Sequence, residues 1–184
     1  PATAQDGTAK VVSRLVNGVG ALVKANGVES LRGTAKLLGK GRIAVGKDHV
    51  TARDILLATG SVPSRIPIKG VEHTIDSTAI LELTRIPKRL AIIGGGVVGM
   101  EFASLFSELG SEVTVLEMLP QVLPMVETEI SNVYRKHLEK LGGTVHTEAR
   151  VEAVVKDGKG LSVRFGLKVE GAEAAADVVL LAAG

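Results

Sequence analysis

The chain has 184 residues, 45% of them hydrophobic and 2% aromatic, and carries a formal net charge of +2. It has no cysteine for a disulfide or thiolate metal site, and lacks the basic runs and aromatic stacking platforms of a nucleic-acid binder. No apolar run reaches the ~18 residues of a membrane span, His49, His73, His137 and His146 show no metal-ligand spacing, and no secretory signal opens the chain. These exclusions leave a soluble α/β protein of one or two domains.

Val11, Val12, Leu15, Val16, Val19, Leu22 and Val23 recur at helical spacing up to Asn26-Gly27, which predicts a helix with one buried stripe. Short strands are expected at 28–31, 35–38, 42–45 and 49–51, broken by Gly33, Gly39, Gly41 and Gly46. The run 54–58 reads as a buried strand stopped by Thr59-Gly60-Ser61. Pro63, Pro67 and Gly70 mark an irregular connection; Asp76 or Ser77 can then cap a short helix through Leu83, and Pro87 is the expected domain boundary. Downstream of a βαβ pattern, Ile130, Val133, Tyr134, His137, Leu138 and Leu141 line one face of a helix stopped by Gly142-Gly143. Strands at 144–147, 151–156, 161–165 and 178–182 follow, with a hairpin turn at Gly158-Lys159-Gly160.

The chemistry concentrates in the βαβ pattern. The apolar run 90–93 leads directly into Gly94-Gly95-Gly96-Val97-Val98-Gly99-Met100-Glu101, and the next apolar run, 112–116, ends at Glu117. Strand, G-x-G-x-x-G turn, helix, strand and terminal acid in this order form the dinucleotide-binding fingerprint. Gly94 is read as the tight turn, Gly96 as room for a pyrophosphate and Gly99 as close helix packing, while the helix start offers free N–H groups to phosphate. A carboxylate at Glu117 accepts ribose hydroxyls and repels an added 2′-phosphate, and Met118, Leu119 and Pro120 supply no cation, so NAD is favoured over NADP.

Four segments carry a resemblance across essentially the whole chain: 11–28 (VVSRLVNGVGALVKANGV), 54–63 (DILLATGSVP), 91–103 (AIIGGGVVGMEFA) and 113–124 (VTVLEMLPQVLP). With them the chain resembles the FAD-dependent pyridine nucleotide-disulfide oxidoreductases, and most closely the dihydrolipoyl dehydrogenase branch. The resemblance implies a glutathione reductase-like fold in which a Rossmann-type NAD domain interrupts an FAD domain. It makes 1–86 the later part of the first FAD segment and 87–184 most of the NAD domain. Ala35 and Thr59, Gly60 and Ser61 would lie against FAD. Gly94 through Glu101 would hold the NAD pyrophosphate, Glu117 the ribose, Val151 the adenine side and Gly184 the approach to nicotinamide. Glu101 matches the position that pairs with a lysine beside the flavin; that lysine would lie upstream, and the plain alternative is a helix-start acid favoured by the dipole.

The same resemblance implies electron transfer from dihydrolipoamide, or the lipoyl domain of a 2-oxoacid dehydrogenase complex, through a redox disulfide and FAD to NAD. It further implies a homodimer in the cytoplasm or the mitochondrial matrix. The family's N-terminal glycine motif, C-x4-C pair and C-terminal His and Glu are not among these residues, so an internal fragment without turnover of its own is expected. Other members of the superfamily, such as a mercuric reductase or an NADH oxidase, and a non-catalytic NAD-binding module remain as alternatives.

Overall fold

A computed structural model describes residues 2–158, 160–166 and 171–183, with side chains described from residue 7 onward. Two compact units result, residues 6–61 and residues 62–184 together with 1–5. Gly184 and Lys159, the latter at the centre of the expected hairpin turn, lie outside the described residues.

In the first unit, helix α1 (Ala2–Ala25) is followed by an antiparallel meander of β1 (Ala35–Gly39), β2 (Arg42–Val45) and β3 (Asp48–Thr51). The helix forms where its periodicity predicts, but Val11, Val12, Leu15, Val16, Val19 and Leu22 are exposed, so the expected buried stripe is not buried. Periodicity is enough to form the helix, whereas burying its stripe requires a partner. The strand expected at 28–31 is absent for a local reason. The Gly27 N–H donates to the Lys24 carbonyl and the Val28 N–H to the Val23 carbonyl, a Schellman closure that uses the backbone a strand would need.

The run 54–58 is likewise no strand: it is irregular and exposed, with Leu56 90% accessible. The apolar stretch Ile55-Leu56-Leu57-Ala58 reads as a strand covered on both faces, and the described residues supply it with no ladder partner.

The second unit is built on a parallel sheet of order β10-β4-β5-β6, from β4 (Arg89–Ile93), β5 (Glu112–Leu116), β6 (Thr144–His146) and β10 (Val178–Leu181). Helix α2 (Val97–Glu108) connects β4 to β5, and α3 (Thr128–Lys140) connects β5 to β6. Period-two alternation distributes each strand between two cores. Leu90, Ile92, Val113, Val115, Val145 and Leu180 join Met100, Ala103 and Phe106 of α2 and Leu138 of α3 on one face. Ala91, Ile93, Leu116, Val179 and Leu181 face a second core with Val154, Val163, Phe165, Ala174 and Ala176.

That second core is closed by an antiparallel sheet of β7 (Arg150–Asp157), β8 (Gly160–Gly166) and β9 (Ala172–Ala176). The sequence reading misses β9, because Ala-Glu-Ala-Ala-Ala has weak strand propensity. Its alternation is nonetheless strict: Ala174 and Ala176 point inward, and Glu173 pairs across the strands with Arg164 at 2.7 Å.

Residues 62–86 also pack with this unit. Ile75 adds to the outer edge of β10, donating to the Val179 carbonyl at 2.9 Å and accepting from the Leu181 N–H at 2.8 Å. Ile66, Ile68 and Val71 lie on the second core, and Ile80 enters the first. Compact packing thus begins at Val62, upstream of Pro87. The expected short helix is a 3-10 turn, Ala79–Glu82, whose N-cap position is Thr78 rather than Asp76 or Ser77; the Asp76 Oδ1 accepts from the N–H groups of Thr78 and Ala79 at its start.

Leu138 is fully buried between α3 and the sheet. Leu138→Ala is expected to lower stability by about 2–5 kcal/mol in urea unfolding, the range for deleting a buried leucine side chain.

Candidate functional site

The carboxyl ends of β4, β5 and β10 open into a cleft of about 840 Å³. The strand order places it at a switch point, since chain leaves β4 toward β5 on one side while β10 returns on the other. Ile93, Gly94, Leu116 and Ala182 line its base, Glu117, Met118 and Leu119 one wall, and Arg150, Val151 and Glu152 another, with Ile66, Pro67, Ile68 and Pro124 completing it.

The glycine turn is sterically enforced. Gly94 has φ +108°, and a Cβ there would come within 2.7 Å of the Ala182 carbonyl group. At Gly99 a Cβ would strike the Gly94 carbonyl oxygen, so the third glycine of the motif lets α2 press against the turn itself. A Cβ on Gly96 would meet nothing within 4 Å, which leaves open space where the helix begins. No side chain caps α2, so its first-turn N–H groups remain available to an anion.

Glu117 is 7% exposed and fastens this turn. Its Oε2 accepts from the Gly95 N–H at 2.6 Å and its Oε1 from the Leu119 N–H at 2.8 Å. Its backbone N–H donates to the His146 carbonyl, and its carbonyl accepts from the Ala149 N–H, both at 2.8 Å. Gly95 in turn accepts from the Leu123 N–H at 2.8 Å, drawing the following loop over the turn. The carboxylate expected to meet ribose therefore already takes one backbone N–H on each oxygen. A carboxylate oxygen has two acceptor directions, so one on each remains for a hydroxyl.

The other expected residues divide. Gly94, Gly96, Glu117 and Val151 meet at the cleft. Val97 and Val98 are exposed at the start of α2, Glu101 is exposed on the same helix, and Met100 is buried in the core with its N–H bonded to the Gly96 carbonyl. Ala35 is exposed on β1, and Thr59, Gly60 and Ser61 are exposed irregular chain. Sequence reasoning missed Ile66, Pro67, Ile68, Met118, Pro124, Arg150 and Glu152 as lining residues. Arg150 and Glu152 could have been found as the strand neighbours of Val151; the 66–68 wall leaves no signal beyond an apolar pair around a proline.

A nicotinamide dinucleotide fits the residues present: an open glycine, an uncapped helix start and an acid at the strand end border one cleft. Ala35 and Thr59–Ser61, the residues expected to lie against a flavin, are exposed and line none of the described cavities. No described helix is long and apolar enough to cross a membrane, and no group of three or more His, Asp or Glu among the described residues could hold a metal ion.

The model of the pyridine nucleotide-disulphide oxidoreductase family matches residues 1–184. Dihydrolipoyl dehydrogenase from Thermus scotoductus is 40% identical over 180 residues, covering 95% of this chain and 39% of that protein. A Bacillus subtilis dihydrolipoyl dehydrogenase is 36% identical over 181 residues, with 95% and 39% covered. Among solved structures, the Cu(II) complex of the HOCl-induced flavoprotein disulfide reductase RclA from Escherichia coli superposes with a TM-score of 0.85 at 29% identity. That match covers 98% of this chain and 42% of the other. The chain thus spans about two fifths of the length of these relatives.

Two outcomes test the geometry. Gly99→Ala forces α2 away from the turn, and a loss of about 1–3 kcal/mol is expected in thermal or urea unfolding. His146, whose ring is tilted 44° to that of Phe165 with centroids 5.1 Å apart, is held below its ordinary pKa of 6.5 by burial and then by Arg135. The unfolded chain therefore takes up this proton first, so the stabilisation is present above pH 6.5 and is lost as pH falls through the depressed folded value. His146→Gln should flatten the stability profile between about pH 7 and 5 relative to the parent chain, measured by unfolding at each pH.

Proposed function

The chain belongs to the pyridine nucleotide-disulphide oxidoreductase family, and from that premise we propose that it is part of a dihydrolipoyl dehydrogenase-like flavoprotein and supplies its NAD site. Residues 87–184 serve as the NAD-binding domain, residues 1–86 as the later part of the first FAD segment, and 62–86 as the connection packed on the former. The observation that carries this reading is the buried Glu117 carboxylate closing the glycine turn at the mouth of the cleft.

In this reading the Gly96 opening and the first turn of α2 take the pyrophosphate, Glu117 takes the adenosine ribose and Val151 the adenine side. NAD supplies the hydride-accepting ring when bound. The chain fixes its orientation and keeps the base of the cleft dry with Ile93 and Leu116. In the whole protein electrons pass from dihydrolipoamide, free or on a lipoyl domain, through a redox disulfide and FAD to NAD. This chain has no cysteine, so the dithiol step lies elsewhere in that protein. The proposal includes a homodimer working in the cytoplasm or mitochondrial matrix, with Glu101 beside the flavin and Gly184 near the nicotinamide.

NADH titrated into the chain should enhance its own fluorescence on binding, and NADPH should bind more weakly. Glu117→Ala should cost about 1–3 kcal/mol of NADH affinity, with a smaller gap between NADH and NADPH because the repelling carboxylate is gone. Unchanged affinity, or an unchanged preference, would remove Glu117 from the site.

A further inference from the structure

The three methionines hold all the sulfur in this chain, and the fold gives each a different environment. Met100 is 1% exposed in the core beneath α2. Met125 is 92% exposed and is not among the residues lining the cleft. Met118 is 65% exposed and lines the cleft between Glu117 and Leu119.

Its position is fixed from both sides. The Glu117 Oε1 accepts from the Leu119 N–H, spanning Met118, and the Leu119 carbonyl accepts from the Glu148 N–H at 3.0 Å. The backbone therefore holds this thioether at the rim, open to solvent and facing whatever enters. A thioether is apolar and polarisable and makes favourable contacts with aromatic rings; its sulfoxide is polar, chiral and a strong acceptor.

We propose that Met118 is an oxidation-sensitive site that lowers dinucleotide affinity when a hydroperoxide converts it to the sulfoxide. The inference rests on the reading that a dinucleotide occupies this cleft. In the reaction the sulfur lone pair attacks the outer peroxide oxygen, an S–O bond forms as the O–O bond breaks, and the remaining oxygen leaves as water or alcohol after proton transfer. Sulfur loses two electrons and the peroxide gains them. The product places an S=O acceptor beside the Glu117 carboxylate, where a purine or ribose would meet it in place of a soft apolar surface.

The test uses the full chain treated with hydrogen peroxide, cleared of oxidant, and titrated with NADH, with peptide mass spectrometry locating the added oxygen. Met118 and Met125 should oxidise well before Met100, and the NADH dissociation constant should rise roughly two- to tenfold, the range set by losing a sulfur–aromatic contact. Methionine sulfoxide reductases should restore it. Met125→Leu should keep the response, whereas the dissociation constant of Met118→Leu, whatever its starting value, should not move on oxidation. Unchanged NADH affinity with Met118 fully converted overturns the inference and leaves the dinucleotide reading standing. Failure of the untreated chain to bind NADH overturns that reading and the inference with it.

Discussion

A single buried carboxylate organises the cleft. Glu117 sits where β5 ends, and by accepting from Gly95 it ties the end of one strand to the turn leaving its neighbour. A carboxyl group at this depth is tolerable because both of its oxygens accept from backbone N–H groups. The same residue receives Ala149 and reaches His146 through its backbone. The start of the antiparallel sheet and the end of the parallel sheet are thereby set relative to the glycine turn. Recognition of a ribose here and stability of the loop draw on one side chain, so the two cannot be tuned independently.

The parallel sheet explains why so much of this half could be read from sequence. In β4 the two alternating sets, Leu90 and Ile92 against Ala91 and Ile93, are both apolar because both faces are covered, one by helices and one by the β7-β8-β9 sheet. Such a run, followed at once by a turn whose Gly94 and Gly99 have no room for a side chain, leaves little freedom in where the strand stops and the helix starts. The helix at 128–140 was visible too, but of its expected apolar face only Leu138 is buried and Tyr134 half-buried, while Ile130, Val133, His137 and Leu141 are exposed.

What was illegible has one cause: sequence pattern reports what a segment needs, not whether a partner is present. The valines and leucines of α1 state a demand for burial that no described packing answers, and the 54–58 run asks for neighbouring strands it does not have. Conversely, β9 escaped notice because its alanines say little alone, although their small size suits a strand lying close over Val163 and Val179. The wall at 66–68 belongs to the same class, since only the folded chain carries it back across the cleft. In the site, Gly94 and Gly99 were legible because backbone geometry demands them and Glu117 because it stands at the end of the strand after the glycine turn, whereas Met118, Arg150 and Glu152 owe their place to the crossing of separate strands.

At the end of the sheet opposite the cleft, Asp177 accepts from both the Arg89 N–H and its guanidinium, across a sequence separation of 88 residues. Bringing β4 and β10 side by side thus requires closing a very long loop, an entropic cost that local hairpins escape. The intervening helices and the β7-β8-β9 meander can form from near neighbours and shorten the effective span before β10 docks. The β10–β4 seam is for that reason among the longest-range contacts of the finished sheet, and its closure weighs on the rate at which this unit acquires its native state.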